Sequence, residues 1–119
     1  MAIVLVLDDE EMVRGLFQDV LKSYGHQVVT FEEGKEVLQC LRGDIVFDVA
    51  FFDIHNEKGL GAMDIIVSVK EIAPDLRVVV MSSDFEHEAM NSPQGFGFLA
   101  SIEKPFRVAQ LKKLVEGLG

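Results

Sequence analysis

The stretch AIVLVLDDEE, from Ala2 to Glu11, places six apolar residues directly before four carboxylates. A continuous apolar run of this kind is typical of a strand that is buried on both faces of a parallel sheet. Four neighbouring carboxylates at the end of such a strand repel one another, and the repulsion favours the protonated form of some of them. We therefore expect a positive charge close to the end of this strand.

Short apolar runs alternate with segments of helical periodicity along the rest of the chain. We predict strands at Ile3–Leu7, Gln27–Phe31, Phe47–Phe52, Arg77–Met81 and Phe98–Ile102. Apolar residues at helical spacing predict helices over residues 12–24, 33–41, 63–73 and 108–118. Pro93 and the glycines around it interrupt the segment after residue 85, so we expect a short or irregular fourth helix. This alternation indicates an α/β fold with a parallel sheet covered on both faces.

Length and composition restrict the function classes. The 119 residues suit one domain, which we predict over residues 1–119. The net charge of −9 argues against direct contact with nucleic acid and against binding to an anionic membrane surface. Cys40 is the single cysteine, which suits a reducing compartment, and we expect a cytoplasmic location. The first apolar run is too short for a bilayer and lacks a basic flank, so we expect no signal peptide.

The residues at the ends of the predicted strands form a specific chemical set. The first strand ends in Asp8 and Asp9, the third in Asp53, the fourth in Ser82 and the fifth in Lys104. Ligands of open parallel sheets bind outside the carboxyl ends of the strands, so we expect these side chains to converge. Carboxylate oxygens suit Mg²⁺, which often shares its site with a phosphate. An aspartate can also attack phosphorus, and the resulting charge is stabilised by nearby cations and hydroxyls.

Four motifs, in the order LVLDDEE, VAFFDIH, VVVMSS and EKPF, carry a family resemblance over essentially the whole chain. Together they resemble the receiver domain of two-component response regulators. The resemblance implies a single flavodoxin-like domain with a five-stranded parallel sheet, strand order 2-1-3-4-5, and five helices on its two faces. It also implies a phospho-accepting signalling domain that is no enzyme beyond its own phosphorylation from a donor and its autodephosphorylation.

The resemblance assigns a role to each candidate site residue. Asp53 is the expected phospho-acceptor and a ligand of Mg²⁺. Asp9 is expected to bind the metal directly, Asp8 mainly through metal-bound water, and His55 through its backbone carbonyl. The His55 side chain could flank the attacking water and tune the phosphoryl lifetime, or it could be a passive surface group.

The resemblance also implies partners and a switching surface. Ser82 and Lys104 are expected to contact the phosphoryl group, and the peptide before Pro105 is often cis in the family. The phosphoryl donor would be a histidine kinase or a phosphotransfer protein. The face formed by the fourth helix, the fifth strand and the fifth helix is where such domains dimerise or dock partners, so a homodimer through this face is expected.

The chain departs from the family pattern at two places. After the acceptor aspartate, Asn56 and Glu57 replace the usual Met-Pro pair, although Gly61 keeps the expected place. With two glycines and no proline, this loop is expected to be more mobile than usual. Ser101 stands where the family often has an aromatic ring that turns inward on phosphorylation. The residues expected to bind the metal and the phosphoryl group therefore match the family pattern, whereas the region expected to transmit the signal departs from it.

Two other functions remain open from the sequence. The departures also fit a degenerate receiver that binds a partner without being phosphorylated. A phosphohydrolase of similar topology would use an aspartate after the first strand, but that class needs an Asp-x-Asp pair and a cap insertion, which this chain lacks. Asp8, Asp9 and Glu10 could also be a simple acidic cluster at a helix N-terminus. Asp53, Ser82 and Lys104 at the other strand ends favour the metal site instead.

Overall fold

A computed structural model describes residues 1–118, in which strands and helices alternate as the sequence predicts. The strands are β1 (Ile3–Leu7), β2 (Gln27–Phe31), β3 (Val49–Asp53), β4 (Arg77–Ser82) and β5 (Ala100–Glu103). The helices are α1 (Glu11–Ser23), α2 (Gly34–Leu41), α3 (Ala62–Ile72), α4 (Glu88–Asn91) and α5 (Val108–Leu118). Gly119, the last residue of the predicted domain, lies outside the described residues. No helix within the described part of the chain is long and apolar enough to cross a membrane.

The strands of residues 1–118 form one parallel sheet with the order β2-β1-β3-β4-β5. This order confirms the predicted flavodoxin-like topology. Leu7 lies beside Phe31 on one side and Phe52 on the other, so the first three strands end at the same level. Asp53 pairs in register with Met81, which brings the end of β4 to the same edge. The residues that follow these strands therefore meet at one edge of the sheet.

Alternate side chains of each strand enter two separate cores. Leu5, Phe52 and Val80 pack toward α2, α3 and α4, whereas Val6 and Phe51 pack toward α1 and α5. All five side chains are fully buried. Full burial of a large apolar side chain contributes about 1.5–3 kcal/mol, so strands buried on both faces hold their register firmly. A firm register fixes where each strand ends, and with it the position of the polar residues at the sheet edge.

Most predicted element boundaries agree with the structure to within a few residues, and β1 and β2 agree at both ends. Helix α1 ends as predicted before Gly25, which has φ +85° and donates its N–H to the Lys22 carbonyl at 3.0 Å. Met12 was included in the predicted apolar stripe of this helix, but it is 88% exposed. Phe17 and Leu21 fill the core in its place.

The fourth helix is short, as predicted. Helix α4 has four residues and is followed by a 3-10 turn at Pro93–Phe96. Gly97 then adopts φ +96°, a conformation that residues with a Cβ rarely reach. Strand β5 starts two residues later than predicted, because the Phe98 N–H bonds to the Pro93 carbonyl within this turn. The phenylalanine is buried in the core although it lies outside the strand.

Candidate metal and phosphoryl-acceptor site

The carboxyl ends of β1 and β3 bring together the aspartates that the sequence singles out. One carboxylate oxygen from each of Asp8, Asp9, Glu10 and Asp53 lies within 4.8 Å of the others. Asp8 and Asp53 are buried, Asp9 is half-buried and Glu10 is exposed. Three of these four residues are predicted ligands. Glu10, which directly precedes α1, was not predicted as one. A group of oxygen donors this close, with two members buried, matches the preferences of a hard divalent cation.

Lys104 supplies the positive charge that we expected close to the end of the first strand. Its ammonium nitrogen lies 2.5 Å from Asp8 Oδ2, 3.4 Å from Asp53 Oδ1 and 3.3 Å from Glu10 Oε1. The lysine side chain is only 12% exposed, so these contacts are shielded from solvent. The Lys104–Pro105 peptide bond is cis, as the family resemblance implied. One ammonium therefore faces at least two buried carboxylates at the edge of the sheet.

Burial and mutual repulsion dominate the electrostatics of this group. Burial, followed by the nearby charge of Asp8, raises the pKa of Asp53 to about 6, although Lys104 acts in the opposite direction. Burial also raises the pKa of Asp8, against the lowering effect of its hydrogen bond with Lys104. Burial alone would lower the pKa of Lys104, but its bonds and charge contacts with the carboxylates outweigh burial and raise it. The lysine is thus fully charged at neutral pH, and the carboxylates retain an excess of negative charge.

The backbone around Asp8 holds this carboxylate in place. Its Oδ1 accepts the Glu10 N–H at 2.9 Å, and its own N–H donates to the Phe31 carbonyl at 3.1 Å. The Arg14 guanidinium donates to the Asp8 carbonyl at 2.9 Å. Because Oδ1 accepts from the Glu10 amide and Oδ2 from Lys104, the Asp8 carboxylate cannot turn away from the lysine without losing both contacts.

Ser82 and His55 lie at the same edge but are engaged differently from the carboxylates. Ser82 is buried, and its hydroxyl oxygen accepts the Asp84 N–H at 2.9 Å. The His55 side chain is 58% exposed, and its Nε2 lies 3.9 Å from Asp84 Oδ2. Its ring meets the His87 ring edge to face at 6.3 Å between centroids. Both residues therefore contact the segment between β4 and α4, Ser82 through Asp84 and His55 through Asp84 and His87.

A cavity of about 280 Å³ opens over the carboxylates and is the space in which a ligand would sit. It is lined by Asp9, Glu10, Asp53, His55, Glu57, Ser83 and Lys104. Neither Glu57 nor Ser83 was predicted from the sequence to line the site. The signal for Ser83 was its position directly after the end of β4, at the edge of the sheet where the carboxylates also lie.

The β3–α3 loop, residues 54–61, is bonded to its surroundings at several points. The Glu57 N–H donates to Asp9 Oδ2 at 3.0 Å, and the Asn56 side-chain amide donates to the Glu32 carbonyl at 2.7 Å. A Cβ on Gly61 would lie 2.6 Å from the Ile54 carbonyl oxygen, so this position has room only for glycine. These contacts count against the expectation that the loop is unusually mobile.

Ser101, which replaces the family's aromatic residue, has a structural partner of its own. Its hydroxyl donates to the Met90 carbonyl at 2.8 Å and so joins β5 to α4. Among neighbouring residues on this face, Leu99 and Val108 are each more than two-fifths exposed. The face expected to dock partners is therefore partly apolar and open to solvent.

Comparisons with known proteins agree with this geometry. The family model described as the response regulator receiver domain matches residues 4–116. The chain is 31% identical over 114 residues to the DNA-binding transcriptional regulator NtrC of Escherichia coli K12, covering 96% of this chain and 24% of NtrC. It therefore spans about a quarter of the length of that relative. Sporulation initiation phosphotransferase F of Bacillus subtilis is 23% identical, over 95% of this chain and 90% of that protein.

Solved structures give the same result. The receiver domain of NtrX from Brucella abortus superposes with a TM-score of 0.87 at 28% identity, covering 97% of this chain and 96% of that one. The chemotaxis protein CheY4 of Vibrio cholerae reaches 0.88 at 21% identity, over 100% of this chain and 99% of that one, and supports the fold alone. The family match extends from β1 to α5 and includes the acidic cluster that is typical of the magnesium site of receivers. The chain belongs to the response regulator receiver domain family of two-component signalling.

Proposed function

We propose that this chain is a phospho-accepting receiver in which Asp53 takes a phosphoryl group from a histidine kinase or a phosphotransfer protein. One observation carries the proposal: the Lys104 ammonium lies 3.4 Å from Asp53 Oδ1 within a group of four carboxylates at the sheet edge. A positive charge beside a buried carboxylate is what an aspartyl phosphate needs when its negative charge increases. Cytoplasmic location belongs to this proposal as well.

The donor set fits Mg²⁺. Asp8, Asp9 and Asp53 offer oxygens within 4.8 Å of one another, and one lysine is too little charge to balance three carboxylates. The raised pKa of Asp53 reflects burial and this repulsion, and a second cation would relieve it. We propose that these three aspartates and the His55 carbonyl hold the ion. When bound, Mg²⁺ supplies positive charge for the phosphoryl oxygens.

Asp53 acts as the nucleophile. One of its carboxylate oxygens forms a bond to phosphorus while the bond from phosphorus to the donor breaks. With a phosphohistidine the imidazole nitrogen leaves, and with acetyl phosphate the acetate oxygen leaves. The attacking carboxylate has to be ionised, and the pKa of about 6 leaves it mostly so at neutral pH. Lys104 then donates N–H bonds to a phosphoryl oxygen, which stabilises the added charge.

Ser82 is the proposed third contact of the phosphoryl group. Its oxygen already accepts the Asp84 N–H, but a hydroxyl can accept one bond and donate another at the same time. Donation to a phosphoryl oxygen would therefore draw the β4–α4 connection toward Asp53. Because Ser101 bonds to Met90, the same movement would be transmitted to β5. The homodimer expected through α4, β5 and α5 is a proposal that rests on this route.

The test is phosphorylation of the purified chain by acetyl phosphate with Mg²⁺, followed by intact mass. We expect a gain of one phosphoryl group in the wild type and none in Asp53→Asn. Asp44→Asn, which changes an exposed aspartate in the α2–β3 connection, is the matched control and should gain the full mass. A wild type that gains nothing, or an Asp53→Asn variant that still gains it, would contradict the proposal.

A degenerate receiver is the second candidate, and Ser101 is the observation that favours it. With its hydroxyl bonded to Met90, this position holds no ring that could turn inward. A phosphorylation-independent binding module would bind its partner equally well as wild type and as Asp53→Ala. A large difference in affinity between these two proteins would exclude the degenerate reading.

A further inference from the structure

The backbone amide of Glu57 makes a contact that links the β3–α3 loop to the metal-binding carboxylates. It donates to Asp9 Oδ2 at 3.0 Å, across 48 positions of sequence. A carboxylate has two oxygens, so this bond leaves Oδ1 of Asp9 for a cation. The amide therefore fixes the orientation of a predicted ligand without occupying both of its donor atoms.

Asn56 holds this amide in position. Its side-chain amide donates to the Glu32 carbonyl at 2.7 Å and to the Leu60 carbonyl at 3.2 Å. Its Oδ1 accepts the Lys58 N–H at 2.9 Å. The donor and the acceptor of the Asn56 side chain are thus both bonded. They hold the loop in a bend at Asn56, directly before Glu57.

The β2–α2 turn provides the fixed surface to which the loop is attached. The Gly34 N–H donates to the Leu60 carbonyl at 2.9 Å, and the Leu60 N–H donates to Glu33 Oε1 at 3.1 Å. A Cβ on Gly34 would lie 2.7 Å from the Leu60 oxygen, so the two backbones are in close contact. Lys58 adds an exposed ion pair with Glu32 at 3.4 Å. Contacts on both sides of Glu57 therefore restrict the movement of its amide.

We propose that the Glu57 amide orients Asp9 for metal binding and that Asn56 is the positioning residue for this amide. The inference rests on the proposed function, because it concerns the same cation site. The family usually has proline at position 57, and a proline there has no N–H and could not donate to Asp9, so the departure from the Met-Pro pair is what makes this contact possible. The Glu57 side chain is not required, because the main chain makes the bond.

Bonds of this kind have a measurable consequence. A carboxylate ligand that accepts an additional hydrogen bond is held in its binding orientation, and loss of such a supporting contact typically weakens metal affinity 10- to 100-fold. The amide is neutral, so it orients Asp9 without adding a competing cation. The effect should therefore appear in the dissociation constant for Mg²⁺ rather than in the fold.

The experiment measures Mg²⁺ binding to the full chain by calorimetric titration in the wild type and in three variants. Glu57→Ala keeps the amide and is the reference for the proline variant, because both variants lack the Glu57 carboxylate that lines the cavity. Glu57→Pro removes the amide and should bind about 10-fold more weakly than Glu57→Ala. Asn56→Ala removes the side-chain bonds of Asn56 without adding a charge beside the site, so it should bind more weakly than wild type. Equal affinities for Glu57→Pro and Glu57→Ala would overturn the inference.

A second readout does not depend on the metal. In the ¹H–¹⁵N spectrum of the metal-free chain, Asp9→Ala should move the Glu57 amide proton upfield and accelerate its exchange. The Gly34 amide should stay in place, which shows that the loop is still folded. An unmoved Glu57 amide overturns the inference even if the chain binds Mg²⁺. Wild type that binds no Mg²⁺ contradicts the proposed function itself, so the two failures are distinguishable.

Discussion

The sheet edge that carries the carboxylate cluster has two sides that are built differently. On the β1–β3 side, the β3–α3 loop is attached to Asp9 and to the β2–α2 turn by main-chain and side-chain hydrogen bonds. On the β4–β5 side, a four-residue helix and a 3-10 turn join the strands. There, contacts across elements include the Ser101–Met90 bond and the distant His55–Asp84 pair.

This difference suits one side to hold ligands in place and the other side to move. Hydrogen bonds are directional, so the bonds of the β3–α3 loop fix the orientation of the groups they join. Helix α4 and the turn after it pack mainly through apolar residues such as Ala89, Met90 and Phe98, and apolar contacts are non-directional and tolerate a shift of a short element. The β1–β3 side is therefore suited to hold ligands in fixed positions, and the β4–β5 side to move when Ser82 is drawn toward a phosphoryl group. Lys104 lies between the two sides, because it follows β5 and contacts carboxylates after β1 and β3.

Replacing Lys104 by methionine should give the largest effect on stability. Asp8 and Asp53 would then face each other without the ammonium that lies within 3.4 Å of both. Breaking a buried charge pair costs about 3 kcal/mol or more, so we expect such a loss in the free energy of unfolding in urea at pH 7.5. At pH 5 the loss should shrink, because Asp53 is mostly protonated below its pKa of about 6.

Lys35→Met is the control for that experiment. Lys35 is exposed at the start of α2, and its replacement should change the free energy of unfolding by no more than about 0.5 kcal/mol. If Lys104→Met loses no more than the control, the lysine does not connect the two sides as described.

Mg²⁺ should stabilise the wild type through the β1–β3 side. A ligand at a concentration 100 times its dissociation constant adds about 2.7 kcal/mol to the free energy of unfolding. In Asp9→Asn most of this gain should be absent, although the amide oxygen can still accept the Glu57 N–H. Urea denaturation with and without Mg²⁺ measures the effect. Asp75→Asn, at an exposed position before β4, is the control and should keep the full increase in the free energy of unfolding. If Mg²⁺ stabilises both variants equally, Asp9 is not a ligand.

The pH dependence of the metal-free chain should isolate the repulsion at Asp53. Since the pKa of Asp53 is about 6 in the folded state against 3.8 ordinarily, the native state binds the proton more tightly than the unfolded state. Stability therefore falls as the pH rises from about 4 through about 6. A shift of about 2 units corresponds to about 3 kcal/mol. Asp53→Asn cannot ionise, so above pH 7 it should be more stable than wild type by about 2 kcal/mol.

The measurement is urea denaturation of both proteins without Mg²⁺ between pH 4 and 8. The advantage of Asp53→Asn should be absent near pH 4 and grow toward pH 7. An advantage that is constant across this range would show that ionisation of Asp53 is not its cause.

Much of the fold could be predicted because apolar runs fix the strands. β1 and β2 were predicted at both ends, since a strand buried on both faces reads as an uninterrupted apolar segment. The start of β5 was predicted less well, because the apolar Phe98 serves the core from a turn rather than from a strand. Apolar character predicts burial more reliably than it predicts the element that achieves it.

The carboxylates and the lysine could be predicted because parallel strands end at one edge. Asp8, Asp9, Asp53 and Lys104 each lie at the end of a strand or within two residues of it, so the topology alone brings them together. The Glu57 amide could not be predicted in the same way, because every residue except proline carries an N–H. Its partner is set by the path of a loop, and the path depends on side-chain bonds such as those of Asn56.

Replacing Ser101 by alanine should give the smallest effect and the sharpest test of the difference between the two sides. The change removes the 2.8 Å bond to the Met90 carbonyl, and a bond of this kind contributes about 1 kcal/mol. Hydrogen exchange should accelerate several-fold at the Ser92 amide, which closes α4, and remain unchanged at the Leu60 amide of the β3–α3 loop. Ser23→Ala removes a similar bond at the exposed end of α1 and should leave both amides unchanged. If exchange at the Leu60 amide accelerates as much as at the Ser92 amide, the two sides open together. The β1–β3 side then does not hold its ligands independently of movement on the β4–β5 side.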